Sequence, residues 1–283
     1  SLSPLISVAA AEGDRRTTLA LWGTYMPVGS GAMLLLSGPI LFLFDWRTLW
    51  WVTAAMILVF SFVVYRVGSR LTKREDAQTI RPEFSEILNL ARRPGPLLLS
   101  LIFAFYAAQY LSLAGFLPLI LVETNGYTPV LAAMVTALVV LFNAVGNALS
   151  GWLLNRGYNP ISLILTGCVV MSLGAAIAFW EGVPGSYRIV AAIAFSGFGG
   201  LIPSSLFAEV PHHAPRPSFM ASISGMLVQG AAVGQLAGPP IAAAFVAWYG
   251  SWQAAIPAMM AAAAVTGCGT LALACLERRQ VEI

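Results

Sequence analysis

The sequence predicts an all-α polytopic membrane protein, a bundle of long helices that cross a lipid bilayer. Of its 283 residues, 58% are hydrophobic and only 10% are charged, and the mean hydropathy is +0.80. A soluble globular domain carries about 25% charged residues, so a water-soluble core does not account for this composition. Eight stretches free of Asp, Glu, Lys, Arg and His are also long enough to cross the bilayer, which takes about 20 helical residues.

These eight stretches are the predicted membrane spans. A buried helix of a soluble protein is an alternative interpretation of any single stretch, but not of eight in succession. The spans cover residues 18–43, 48–65, 97–121, 130–154, 160–180, 189–208, 219–249 and 251–276. Residues 1–11 are apolar as well but too short to cross, so we interpret them as the end of a further helix.

The first span contains a row of small residues. Gly23, Pro27 and Gly31 are spaced four residues apart, about one helical turn, so they share one helix face. Glycine costs roughly 1 kcal/mol relative to alanine inside a helix, and such a row therefore indicates that another element approaches the backbone closely. Two functions remain open for this face, static packing or a smooth surface on which helices move.

A polar connection, residues 67–96, follows the second span and divides the chain. We interpret residues 1–66 as the remainder of an N-terminal six-helix bundle and residues 97–283 as a C-terminal six-helix bundle. The other connections are much shorter. Within the long connection, the segment RPEFSEILNLARRPG is predicted either as a short amphipathic helix on the membrane surface or as a solvated linker.

The spans that follow carry neutral polar side chains at membrane depth. We predict that they line a substrate cavity; the alternative is that each bonds to a neighbouring helix, which typically contributes about 0.6 kcal/mol in membranes. Gln109 and Tyr110 are the strongest candidates, because they precede a predicted helix break at Gly115–Pro118 and broken helices tend to line cavities. The candidates are Tyr25, Tyr106, Gln109, Tyr110, Asn143, Asn147, Ser204 and Gln229.

The seventh span repeats the pattern of the first. In QGAAVGQLAGPP, Gly230, Gly234 and Gly238 are again four residues apart, and Pro239 follows. Each row is followed by a turn that contains Trp (DWR and SWQ) and then by one more span. Two similar halves are typical of transporter folds. If both halves have six spans, four helices precede the first span, and the chain has eight of an expected twelve.

Basic residues predict the orientation of these spans. With the N-terminal segment in the cytoplasm, the inside segments hold 13 of the 15 basic residues, and the outside segments hold only Arg47 and Arg188. Such an excess marks the cytoplasmic side. The prediction is a multi-pass protein of the plasma (inner) membrane with both termini in the cytoplasm.

Signals for enzymatic or metal chemistry are weak. EVPHH contains Glu209, His212 and His213, but its spacing differs from the HExxH zinc motif, and Pro211 is expected to interrupt any helix there. We therefore interpret it as a solvated loop, and we predict no catalytic residue, no cofactor and no metal. The net charge of +3 gives no indication of nucleic-acid binding.

Several segments together indicate a family. They are WGTYMPVGSGAML with DWR, the long basic central loop, GNALSGWLLNRG, and QGAAVGQLAGPP with GSW. The sequence resembles the C-terminal two-thirds of a major facilitator superfamily (MFS) permease, helices five to twelve. In that resemblance Gly151, Asn155 and Arg156 occupy a cytoplasmic gating loop, with Asn155 in place of an acidic residue. GFLPLILVETNGYTP resembles the cyanate and nitroimidazole permease branch.

The resemblance implies secondary active transport of a small solute by alternating access, with a proton as a candidate coupling ion. Uptake and efflux, and the oligomeric state, are left open. Two alternatives stand beside it, a truncated membrane protein without transport activity and a polytopic membrane enzyme. The enzyme would need His, Asp or Glu clustered at a site, and only the EVPHH segment approaches that.

Overall fold

The structure, a computed structural model, describes residues 25–71 and 83–281. The described residues are mainly helical, and two short 3-10 helices, Pro217–Phe219 and Trp252–Ala255, precede the last two long helices. In chain order the α-helices are α1 (Tyr25–Leu43), α2 (Trp46–Leu71), α3 (Phe84–Ala91), α4 (Pro94–Asn125), α5 (Pro129–Asn155), α6 (Pro160–Phe179), α7 (Gly185–Gly199), α8 (Leu201–His213), α9 (Met220–Tyr249) and α10 (Ile256–Val281).

Seven helical segments within the described residues are long and apolar enough to cross a membrane, which confirms the predicted class of helical polytopic protein. α1 adds a shorter apolar stretch, Met26–Leu41; the predicted first span, residues 18–43, lies partly outside the described residues. The seven are Trp46–Arg66, Pro94–Asn125, Pro129–Asn155, Pro160–Phe179, Gly185–His213, Pro217–Tyr249 and Trp252–Arg278.

Proline begins three of the long helices. Pro94, Pro129 and Pro160 occupy the first position of α4, α5 and α6, where a backbone N–H has no partner inside the helix and its loss costs nothing. Thr128 and Asn159 cap α5 and α6, because their side-chain oxygens accept hydrogen bonds from backbone N–H groups of the first turn. These local signals determine the residue at which each helix begins.

α4 is the centre of the bundle. It packs on α9, α10 and α5, while α6 packs on α7 and α10, and α5 packs on α7. The apolar side chains of α4 at Leu99, Ile102, Leu113 and Leu117 are fully buried between these neighbours. α1 packs on α5, and α2 packs on α1 with most of its apolar surface exposed, as suits a helix surrounded by lipid.

Two expectations about proline are wrong. α4 continues through Pro118, so the predicted break at Gly115–Pro118 is absent, and α8 continues through Pro211, so EVPHH is not a loop. Proline removes one helical hydrogen bond, and packing of neighbouring helices compensates for that loss in membranes. The interruption lies instead at Gly200, between α7 and α8.

One end of the bundle carries most of the arginines. We call it the basic end; it includes Arg92, Arg93, Arg156, Arg216 and Arg278. The helix α3 lies there, so the helical interpretation of the long connection is the one that the structure adopts. A capping box formed by Glu83 and Glu86 begins this helix, and Arg216 donates a hydrogen bond to Glu86 at 2.5 Å, which ties α3 to the α8–α9 loop.

Candidate functional site

Four of the predicted cavity residues form one hydrogen-bonded group, here called the polar cluster: Tyr106, Asn143, Asn147 and Ser204. The Asn143 amide donates to Tyr106 Oη at 3.2 Å and to the Ser196 carbonyl at 3.0 Å. The Asn147 amide donates to Asn143 Oδ1 at 2.9 Å, and Ser204 Oγ donates to Asn147 Oδ1 at 2.9 Å. All of these residues are buried, and the cluster joins α4, α5, α7 and α8 near the middle of the long helices.

Glycines in α5 and at the break between α7 and α8 allow these helices to approach closely enough for the hydrogen bonds of the polar cluster. A Cβ on Gly146 of α5 would overlap the Gly197 carbonyl and lie 3.1 Å from Gly200 Cα. A Cβ on Gly200 would likewise lie 2.7 Å from the Asn147 backbone nitrogen. α5 therefore touches the broken segment backbone to backbone, and the Asn143 amide can reach the Ser196 carbonyl.

Aromatic rings extend the cluster along α4. Tyr106 stacks on Phe103 at a centroid distance of 5.8 Å and on Tyr110 at 5.9 Å, and Tyr110 lies 6.4 Å from Phe195 of α7 at an interplanar angle of 9°. We call these four residues the aromatic row. Such rings combine apolar area with a defined orientation.

Two hydroxyl groups beside the aromatic row are buried and make no short hydrogen bond in the described part of the chain, although they lie close enough to interact weakly with each other. They are Tyr110 Oη and Ser196 Oγ. A buried polar group left unpaired costs about 1–3 kcal/mol, so a polar partner from outside the described residues would be favoured here. These two hydroxyls are the groups of this region that still have capacity for a hydrogen bond.

The other cavity candidates lie elsewhere. Gln109 is 2% exposed, and its amide donates to the Met259 carbonyl of α10 at 3.1 Å, so it faces α10 rather than the polar cluster. Gln229 is an exposed residue of α9. Tyr25 is the first residue of α1, and its side chain lies outside the described residues. The geometry thus favours a packing role for Gln109.

The glycine row of α9 lies against α4. A Cβ on Gly230, Gly234 or Gly238 would lie 3.0 Å from the Ser100 carbonyl carbon, 2.7 Å from the Ala104 carbonyl carbon and 2.6 Å from Ala108 Cα, respectively. Pro239, next to this row, is half-buried. Because the three contacts all involve backbone atoms, no side chain can move aside to admit a larger residue.

The row in the first span makes a softer contact. A Cβ on Gly31 would lie 2.6 Å from Leu141 Cδ2, a side-chain atom of α5. Pro27 is buried on α1, and Gly23 lies outside the described residues. The first-span row therefore meets a flexible side chain, in contrast to the rigid backbone that the α9 row meets.

The predicted gating loop lies at the basic end. Gly151 is buried within α5, whereas Asn155 and Arg156 are exposed where α5 ends. The Arg156 guanidinium stacks over the Trp152 ring at 3.8 Å from its centroid. This cation–π contact orients Arg156 within its own helix end.

Some residues of this region carry no signal in the sequence. Phe103 and Phe195 join the aromatic row, and the Ser196 carbonyl accepts a hydrogen bond from Asn143 of the polar cluster. Single phenylalanines and serines are common in apolar helices, so composition does not separate them from lipid-facing residues. A signal does exist in the pair Gly199 and Gly200 after Ser196, since adjacent glycines mark a helix break.

The fold, a bundle of long apolar helices with a buried polar cluster at mid-depth, is that of a helical polytopic membrane protein. The family model of the Major Facilitator Superfamily matches residues 1–229. The chain therefore belongs to the Major Facilitator Superfamily, as its motifs predict.

Solved structures show the same fold at low sequence identity. The E. coli fucose:proton symporter FucP, as a variant, matches with a TM-score of 0.67 and 16% identity, over 96% of this chain and 72% of that one. An MFS transporter, FucP, in the outward conformation, matches with a TM-score of 0.70 and 17% identity, over 96% and 71%. A search of curated proteins found no match.

Proposed function

We propose that the chain takes part in secondary active transport of a small polar solute by alternating access, and that the solute binds beside the aromatic row. The observation that carries this proposal is the buried pair of hydroxyls of Tyr110 and Ser196, which interact only weakly with each other. A hydroxyl or carbonyl group of a solute would satisfy them. The aromatic row would cover its apolar face.

The two bundles of this proposal meet at α1 and α5. Residues 1–66 would belong to the N-terminal bundle, residues 97–283 to the C-terminal one, and residues 67–96 would connect them. Alternating access moves whole bundles against each other, so the moving contacts lie between bundles. The Gly31–Leu141 contact is of that kind, whereas the contact of Gly234 with Ala104 lies inside one bundle and supports a packing role.

Orientation and coupling complete the proposal. Arginines concentrate at the basic end, so we infer that this end faces the cytoplasm, with the protein in the plasma (inner) membrane. The gating role of Gly151, Asn155 and Arg156 fits that side. The fucose:proton symporter among the similar structures makes a proton the first coupling ion to test.

Uptake into proteoliposomes tests this function directly. The natural protein that contains this chain would be reconstituted with and without an inward proton gradient, and supplied with radiolabelled L-fucose, cyanate or a nitroimidazole. L-fucose represents the similar structures, and the other two represent the branch that GFLPLILVETNGYTP resembles. We expect one solute to accumulate in a way that depends on the gradient. If uptake of every solute is no higher than into empty liposomes, the non-transporting alternative is favoured.

A pair of serine variants then tests the site. Ser196→Ala removes a hydroxyl that the solute would bind, and a lost hydrogen bond of about 0.5–1.5 kcal/mol raises KM by roughly three- to tenfold. Ser162→Ala on α6, where the residue is exposed, is the matched control and leaves KM unchanged. Equal KM values for both variants would place the solute elsewhere.

A further inference from the structure

Three side chains that the transport proposal does not use meet at the basic end. They are Glu209 and His213 of α8 and Glu277 of α10, and one possible ligand atom from each lies within 4.8 Å of the others. Glu209 and His213 are four residues apart and therefore project from one face of α8. Glu209 is 3% exposed and His213 is 8% exposed. The group is a mixed carboxylate and imidazole cluster inside the protein.

The imidazole of His213 is held in one orientation. Its ring packs on the backbone of α4 at Gly95, where an added Cβ would overlap Nδ1 and lie 2.9 Å from Cγ. The opposite nitrogen, Nε2, lies 3.3 Å from Glu277 Oε1. Because residue 95 is a glycine, the His213 ring can pack against α4, and its Nε2 points toward the carboxylates.

Within the described residues, no lysine or arginine pairs with the carboxylates of the cluster. In the described part of the chain, Glu209 contacts His212 Nδ1 at 2.9 Å and Glu277 contacts His213 Nε2 at 3.3 Å. Arg216, which belongs to the same end, pairs instead with Glu86. Two carboxyl groups brought together away from water either share a proton or need a cation between them.

A route from solvent reaches the cluster. A cavity of about 630 Å³ opens beside it, and its lining includes Glu209, His212 and Glu277 together with Tyr158 and Asn159. His212 is exposed at its mouth. An ion could enter through this cavity without unfolding of the helices.

We propose that Glu209, His213 and Glu277 bind a divalent transition-metal ion of the Zn²⁺ type. Imidazole nitrogen combined with carboxylate oxygen suits such ions. Ligands about 2.1 Å from a tetrahedral ion lie roughly 3.4 Å apart. His213 Nε2 and Glu277 Oε1 are already 3.3 Å apart, so Glu209 has to approach them by up to about 1.4 Å from the 4.8 Å limit of the group. The ion links α8 to α10, and through the ring on Gly95 it also braces the start of α4. This site is independent of the solute site.

Calorimetric titration of Zn²⁺ into untagged, chelator-treated protein tests the proposal. One ion per chain is expected, and Glu277→Gln and His213→Asn weaken binding at least about 100-fold, more than loss of an outer-sphere contact does. Glu83→Gln, an exposed glutamate at the same end, leaves the affinity unchanged. Saturating Zn²⁺ also raises the unfolding temperature of the parent protein but not that of Glu277→Gln.

Three results would overturn the proposal. The first is no Zn²⁺ binding at neutral pH, which would mean that the carboxylates share a proton. The second is an affinity of Glu277→Gln within about threefold of the parent value. The Glu277→Gln variant tests the proposal even if His213→Asn fails to fold. Glu277 is only half-buried near the end of α10, so we expect its substitution to leave the fold intact. The third is Mg²⁺ binding as tight as that of Zn²⁺, which would point to an oxygen-only site.

Discussion

Gly234 of α9 lies directly on the backbone of Ala104 in α4: a Cβ at position 234 would overlap the Ala104 carbonyl oxygen and lie 3.0 Å from its Cα. Gly230 and Gly238 repeat the contact one turn to either side. Small residues that allow backbones to approach in this way are how membrane helices gain packing energy. This close contact with α4 explains why α9 has a glycine in each of three successive turns.

We predict that Gly234→Ala destabilises the protein by about 1–3 kcal/mol, because the methyl group forces two backbones apart. Gly225→Ala on the same helix is the matched control, since a Cβ there meets nothing within 4 Å. The control gains up to about 1 kcal/mol from better helix propensity. Thermal unfolding in detergent compares the two, and equal or higher stability of Gly234→Ala would contradict the close contact.

A second prediction concerns pH and the α3 helix. The pKa of the Glu86 carboxyl lies below its usual value of 4.5, first because the Glu83 backbone N–H donates to it and second because Arg216 lies beside it. A carboxylate with a lowered pKa stabilises the folded state fully above its unfolded pKa, and this contribution is lost as the pH falls through the folded pKa. Attachment of α3 should therefore weaken only below about pH 4.5.

Hydrogen exchange of the peptide 83–93 measures this attachment. Glu86→Gln is expected to exchange faster than the parent protein near neutral pH, and the difference should disappear as the pH falls through the lowered pKa of the parent carboxyl. Asn89→Ala, an exposed change in the same helix, serves as the control. Identical exchange of Glu86→Gln and parent near neutral pH would show that the carboxylate does not hold α3.

The membrane helices could be predicted from the sequence, because the length and apolar content of a span are set by the lipid bilayer and not by the neighbouring helices. α4, α5 and α6 begin at Pro94, Pro129 and Pro160, within three residues of the predicted spans. Proline was a poor guide to where helices end. Pro118 and Pro211 lie inside helices, since tertiary packing compensates for one lost hydrogen bond.

Charged residues at the ends of spans were harder to place. Arg188 was expected in an outer loop, yet its side chain is fully buried and donates to the Trp180 carbonyl at 2.9 Å. Glu209 and His213 were expected in a solvated loop, yet they pack against Glu277 and Gly95. Glu277 and Gly95 are distant from His213 in sequence, so local composition carries no record of these contacts.

The site could be predicted only in part, for the same reason. Buried amides and hydroxyls stand out in an apolar helix, so Asn143 and Asn147 were found. Which face each residue occupies depends on the neighbouring helix, and that separates Gln109, bonded to α10, from Tyr110, beside Phe195. Adjacent residues of one helix thus meet different surroundings.

The measurement that tests the central claim most directly is cysteine labelling at these two adjacent positions. The three native cysteines, Cys168, Cys268 and Cys275, would first be replaced by serine or alanine. Tyr110→Cys and Gln109→Cys would then be treated with a small hydrophilic thiol reagent, with and without the solute that the uptake assay identifies. The Gln109 position, which faces α10, is the matched control.

If the solute binds beside the aromatic row, Tyr110→Cys reacts and the solute protects it, while Gln109→Cys, packed against α10, stays inert. Uniform inertness of both positions, or reaction of Tyr110→Cys that the solute leaves unchanged, would contradict this site.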